Sequence, residues 1–323
     1  MSQLNEERTM LIQTVRDLVA KHAGPEAVRA AMDSERGFDE ALWTMLCEQV
    51  GVAALVVPEE LGGAGGELAD AAAVMTELGR GLVPTPLLGT TLAELALLAA
   101  ESPDADILEQ LAAGAVIGTV VFDPDYVLNG DTAEVVVAAV DGELQRWNSF
   151  DTEPLTSMDP TRRLAKVQAT DTVALGTDPG LADTALLLLA AEQIGAATRA
   201  LELTVDYTKE RVQFGRPIGS FQALKHRMAD LYVKVQTAGA VVDEAIGDPS
   251  PANAALAHVM ATEAFRDIVG EAVQMHGGIA ITAEHDIQLY FKRAHGSSHL
   301  FVTAAEALKT LEAEIFSGAA AHT

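Results

Sequence analysis

The stretch QMHGGIAITAEHD, from Gln274 to Asp286, sets a Gly-Gly pair, a histidine on either side of the turn and a carboxylate, Glu284, close together in sequence. Paired glycines let a backbone come near a ligand. A carboxylate in a dry site has a raised pKa, as a general base needs. Glu284 also fits a plainer role. TAEHD reads as a helix start, with Thr282 as cap and Glu284 in the first turn, where an acid meets the positive end of the helix dipole. A second stretch, RVQFGRPIGSFQALKHRMAD from Arg211 to Asp230, holds another set of chemistry-bearing groups. Arg211 brings a fixed charge and a fork of donors suited to pyrophosphate. Phe214 offers an apolar face to a ring, and Gly215 lets the chain turn. The plainer reading makes RxxFG a helix end and a turn, with Phe214 in the core.

These residues need elements to hold them. The chain has 323 residues, 49% hydrophobic and 21% charged, a globular composition. Alanine and valine dominate the apolar set and aromatics are only 5%, which suits helices packed through small residues. From Leu4 to about Ala113 the pattern is mostly helical. Val15, Leu18 and Val19 form one stripe, and a further helix follows Asp39 with Leu42, Met45 and Leu46 on one face. VAALVVPEELGGAGGELAD imitates a dinucleotide-binding turn, but counting G-x-G-x-x-G from Gly63 puts Leu68 where the last glycine belongs. It is read as a flexible turn into a helix from Glu67 to Gly79. Between Ala115 and Asp183 the texture is β: AVIGTVVF and EVVVAAV are β-branched, LNGD, VDGE and TDPG are turns, and DPTRRLAKV adds a turn and a strand. So short a β segment must lean on its helical neighbours. From Thr184 onward the chain is helical again, with Leu224, Met228, Leu231, Val235 and Val242 at helical spacing. GDPSPAN breaks that helix before the next, from Ala254 to Met275. The expected class is mainly α with a small β domain: a helical domain over 1–113, a reduced β domain over 114–182 and a helical bundle over 183–323.

Charge narrows the partners. A net charge of −26 repels phosphate backbones and anionic lipid, so neither nucleic acid nor a membrane is expected. Cys47 is the single cysteine, so no internal disulfide forms. The polar N-terminus and the shortness of the longest apolar run, Ala185–Ala191, point to a cytoplasmic protein. His295 and His299 are spaced to share a metal on a helix, but Gly296 and two serines intervene and no third ligand is placed, so no metal is expected.

RVQFG resembles the arginine-x-x-phenylalanine-glycine motif of the acyl-CoA dehydrogenase family, and QMHGG resembles its glutamine and Gly-Gly turn two helices later. VPEELGGAGG, ELGRGLVPTPLL and PLTSMDPTRRLAKV extend the resemblance over nearly the whole chain. It implies an N-terminal helical domain, a central β domain and a C-terminal four-helix bundle. It also implies FAD and the α,β-dehydrogenation of an acyl-CoA thioester, with electrons passed to an electron-transfer flavoprotein. Carried over by position, Arg211, Gln213, Phe214, Ile218, Phe221, Leu224, Gln274, Gly277 and Gly278 would contact FAD, mostly that of a neighbouring subunit. Glu284, six residues after Gly278, would be the base. The other position used in the family, on the first helix of the bundle, is Ala185 here, and the nearest acids, Asp183 and Glu192, fit it poorly.

The pattern is also broken. The β region is cut down and the tryptophan segment that helps hold the flavin ring is missing; Trp147 stands in a different context. Lys292, Arg293 and Ala294 replace the family's arginine-aspartate-alanine, and the later glutamate-glycine-threonine turn reads HGSSHLFVTAAE. Contacts to a neighbour's flavin are kept while those to the chain's own are lost. This is similar to the shortened subunit of actinobacterial heteromeric, steroid-degrading acyl-CoA dehydrogenases. It implies a full-length partner in a heterotetramer, a homo-oligomer with Glu284 as base and a purely structural subunit being the alternatives.

Overall fold

The computed structural model describes residues 3–282 and 285–320. Helices α1 (Gln3–His22) and α2 (Pro25–Met32) are parted by Gly24, with Pro25 opening the second. α3 (Glu40–Met45) starts at Asp39, whose carboxylate accepts the backbone N–H groups of Ala41 and Leu42. α4 (Leu68–Gly81) is held at its start by Asp70, which accepts the Glu67 backbone N–H at 2.8 Å. α5 (Leu87–Leu98), buried on nearly every side, and α6 (Ala105–Ala112) complete the first layer. The glycine-rich passage before α4 is neither a strand nor loose. Gly66 donates to the Leu55 carbonyl at 2.7 Å and Ala64 to that of Ala54 at 2.8 Å. A Cβ on Gly63 would lie 1.9 Å from the Val57 carbonyl oxygen, so only glycine closes this turn.

β1 (Gly118–Val121), β2 (Val127–Leu128), β3 (Val135–Val140), β4 (Glu143–Leu155) and β5 (Leu164–Thr177) form one sheet in the order β1-β3-β4-β5-β2. β1 runs parallel to β3, and the other pairings are antiparallel. β4 and β5 make a long, bulged hairpin from Glu143↔Thr177 to Leu155↔Leu164. The sheet rests on α5 through close backbone contact, since a Cβ on Gly118 would meet that of Ala93 at 2.7 Å.

α7 (Leu181–Glu210) leads into the small hairpin β6 (Val212–Gln213) and β7 (Arg216–Pro217). α8 (Gln222–Gly247), α9 (Pro251–His276), α10 (Ile287–Ser297) and α11 (Ala304–Ala320) follow. By length and composition α7 could cross a membrane, but 72% of its most apolar window is buried here, and it forms the spine of the core. It crosses α4 closely enough that a Cβ on Gly79 would lie 2.1 Å from the Glu192 carbonyl oxygen. Ser250 caps α9 through the Asn253 N–H at 3.1 Å. Thr282 does not cap α10. It ends a 3-10 turn over Gly277–Ile281, its hydroxyl donates to the Ile279 carbonyl, and the helix starts only at Ile287.

Candidate functional site

α7 ends at Arg211, where the backbone leaves helical geometry and turns through the β6–β7 hairpin. Arg211 is exposed and, among the described residues, pairs with no acid. Phe214 stands at the hairpin tip with φ +52° and is 92% exposed, so it is not a core residue. A phenyl ring held in water by a left-handed turn is not placed by core packing. Phe221 meets Phe214 edge-on at 6.1 Å, and the Arg216 guanidinium lies 4.0 Å over the Phe221 ring. Ile218 and Leu224 are half-buried, and Leu224 packs against the bundle core. The Gln213 side-chain amide folds back and donates to the Val212 carbonyl at 2.8 Å.

The Gly-Gly turn lies at the same end of the bundle. Gln274, Gly277 and Gly278 are exposed, Gly277 has φ +65°, and a Cβ on either glycine would meet open space. Space on the outer side fits a ligand or partner that comes close to the backbone. The two motifs are joined by a residue that sequence reading passed over. Tyr207, one turn before Arg211, stacks on His276 at 4.2 Å, and its hydroxyl donates to the His276 carbonyl at 3.3 Å. Its spacing from Arg211 was the available signal. His276 is buried, which lowers its pKa, and its Nδ1 bonds the Ala272 carbonyl at 2.8 Å.

Glu284 lies outside the described residues. Two positions on, Asp286 pairs with Arg29 of α2 at 2.7 Å and lines a cavity of about 430 Å³ among α1, α2, α4, α7 and α10. Ala185 is fully buried. Asp183 is half-buried beside Asp178, and burial raises its pKa. Glu192 is committed to Arg162 and Arg293 and is not free to act as a base.

Those arginines belong to a buried network where the sheet, α7 and α10 meet. Arg293 Nε lies 2.8 Å from Asp159 Oδ2 and 2.9 Å from Thr161 Oγ1, while its other nitrogens reach Glu192 and Thr161. Arg162 bonds Glu192 and, at 2.9 Å, Ser297. Cations and anions are matched, so no buried charge is left alone. The void remaining there is about 20 Å³, room for a single water.

Helices, sheet and helices follow in this order, with an exposed Arg-Phe hairpin beside an open Gly-Gly turn. Comparison with known proteins identifies the class. Residues 5–115 match the acyl-CoA dehydrogenase N-terminal domain and residues 184–300 the C-terminal domain. Acyl-CoA dehydrogenase IpdE2 of Mycobacterium tuberculosis (strain ATCC 25618 / H37Rv) is 66% identical over 311 residues, covering 96% of this chain and 98% of that protein. IpdE2 of Mycolicibacterium smegmatis is 65% identical over 314 residues, covering 97% and 100%. A variant of the Tcur3481–Tcur3483 steroid acyl-CoA dehydrogenase superposes with a TM-score of 0.90 at 28% identity, over 98% of this chain and all of that one. The chain belongs to the acyl-CoA dehydrogenase family of FAD-dependent oxidoreductases. The residues at the hairpin end fit that cofactor: an unpaired guanidinium suits a pyrophosphate, an exposed phenyl suits a ring, and the open glycines admit close approach.

Proposed function

We propose that this chain is the shortened subunit of a heteromeric acyl-CoA dehydrogenase and completes an FAD site held mainly by a full-length partner. FAD, when bound, supplies the hydride acceptor of the α,β-dehydrogenation. This chain's part is to bind and orient. Arg211 would neutralise the pyrophosphate, Phe214 and Phe221 would cover an apolar face, and Gln274 with Gly277–Gly278 would close around the polar end. Ile218 and Leu224 would support the hairpin from beneath, with Gln213 turning outward to join it.

The observation that carries this reading is the packed junction of sheet and bundle. Ligand pockets run to roughly 300–1,000 Å³. The junction holds about 20 Å³, and buried Arg162, Arg293, Glu192 and Asp159 fill the rest. In the family the β domain holds a subunit's own flavin ring, and the tight packing at this junction supports the reading that the ring is held elsewhere. The outward-facing contacts are kept, so they await a flavin on another chain. The steroid acyl-CoA dehydrogenase named above supports a bulky ring-bearing acyl-CoA as substrate. An electron-transfer flavoprotein is the proposed acceptor. The reacting carbons then lie against the partner, which would supply the base.

The test is the flavin content of the purified chain, alone and co-expressed with a full-length relative. A colourless chain alone, with one flavin for each pair of unlike chains in the complex, is the expected result. A chain that carries its own FAD and oxidises acyl-CoA unaided overturns the reading and returns Glu284 to the role of base.

A further inference from the structure

Tyr207 lies one helical turn before Arg211, and its side chain reaches the other cofactor-facing motif. Its main-chain carbonyl accepts the Arg211 backbone N–H at 2.9 Å, the last helical bond of α7. Its ring lies parallel to the His276 imidazole, with centroids 4.2 Å apart and planes 23° apart, and its hydroxyl bonds the His276 carbonyl. The next residue is Gly277. His285 closes the group edge-on, 4.8 Å from His276 and 6.4 Å from Tyr207. The Ile287 N–H points at His285 Nδ1 at 3.3 Å. The three rings thus pin the end of α7, the Gly-Gly turn and the segment before α10 to one another.

From this geometry we infer that Tyr207, His276 and His285 form a positioning stack that sets the distance between Arg211 and Gly277–Gly278 and so tunes the grip on FAD. The inference rests on the half-site reading above. No ring of the stack need touch the cofactor. In the proposed half-site Arg211 on one side and Gly277–Gly278 on the other would do so, and a cofactor spanning both motifs binds best when their separation is already set, because ordering is then not charged against binding.

The experiment uses the complex with its full-length partner and measures FAD dissociation by ultrafiltration. Tyr207→Ala, Tyr207→Phe, His276→Leu and Arg211→Ala are compared with the parent. Assembly is followed by sedimentation and stability by thermal melting. Aromatic pairs contribute about 0.5–1.5 kcal/mol, so loss of the stack should weaken FAD binding roughly two- to tenfold. Tyr207→Phe keeps the ring and should restore most of the affinity. His276→Leu removes the opposite ring with little change in volume and should match Tyr207→Ala, which keeps the test decisive if the alanine variant does not fold. Weakened FAD binding in Tyr207→Ala and His276→Leu, kept in Tyr207→Phe, with assembly unchanged and FAD loss out of proportion to any fall in melting point, is the expected signature, which a merely structural role does not produce. If Arg211→Ala weakens FAD and neither stack variant does, the positioning role is overturned and the half-site stands. If Arg211→Ala also leaves FAD untouched, the half-site reading fails first.

Discussion

Gly195 of α7 sits directly against Thr76 of α4: a Cβ added to Gly195 would lie 1.9 Å from the Thr76 carbonyl oxygen. Together with Gly79 it lets the two helices cross backbone to backbone. Gly195→Ala forces them apart. The expected loss is about 1–3 kcal/mol, the usual range for overpacking, read as a lower midpoint in thermal melting. An unchanged midpoint would show that the crossing relaxes freely.

The network around Arg293 should be intolerant of single changes. Arg293→Met leaves Asp159 and part of Glu192 buried without their cation. Breaking a buried pair from one side costs about 3–5 kcal/mol, far more than the pair itself contributes. A loss under about 1 kcal/mol in denaturant titration would mean that water reaches the site and screens the carboxylates.

Glu284→Gln tests where the base lies. Removal of a general base lowers turnover by about 10²–10⁴-fold. On the half-site reading the reconstituted complex should stay within about threefold of the parent, since the group removed is not the base. A drop of hundredfold or more places the base on this chain.

Glu94 of α5 is fully buried, and neither carboxylate oxygen has a hydrogen-bond partner among the described residues. Burial raises its pKa well above the ordinary carboxyl value. The folded chain therefore holds the proton more tightly than the unfolded one. That contribution to stability is complete below the unfolded value, about 4.3, and is lost as pH rises through the folded value. Glu94→Gln removes the dependence. Its melting point should differ least from the parent near pH 4 and gain on it steadily toward pH 8. A constant difference over that range would show that Glu94 does not titrate in the window.

Cys47 is buried, and burial pushes its thiol up to about 12. A thiol-specific disulfide reagent at pH 8 should leave it unmodified in the folded protein and label it fully in denaturant. Rapid labelling without denaturant would mean that the α3 region opens.

Much of this was legible in sequence, for identifiable reasons. Asp39 announces α3 because its side chain caps it, and Leu231, Val235 and Val242 announce α8 because only one face of that helix is buried. β4 was not legible. ELQRWNSFDTEPL has almost no buried position, so no alternation marks it as a strand, and pairing with β5 makes it one. The site divides in the same way. RVQFG and QMHGG are local patterns and could be found. Arg293 reads as an ordinary basic residue on a helix. Its burial follows from Asp159 and Glu192, which only the fold brings to it. The sequence reading of Phe214 as a possible core residue failed because backbone geometry at the hairpin tip, not hydrophobicity, decides where it points.

The same network fixes an order of events as the chain is made. Asp159 and Arg293 are separated by 134 residues. At ribosomal rates of about 5–20 residues per second, the acid waits roughly 7–27 s for its cation. Over that interval Glu192 already has Arg162 as its cation, while Asp159 has none and is costly to bury, which favours a hydrated seam between sheet and bundle. The arrival of α10 supplies the cation that lets the seam dry, and a copy truncated before Arg293 would leave Asp159 without it.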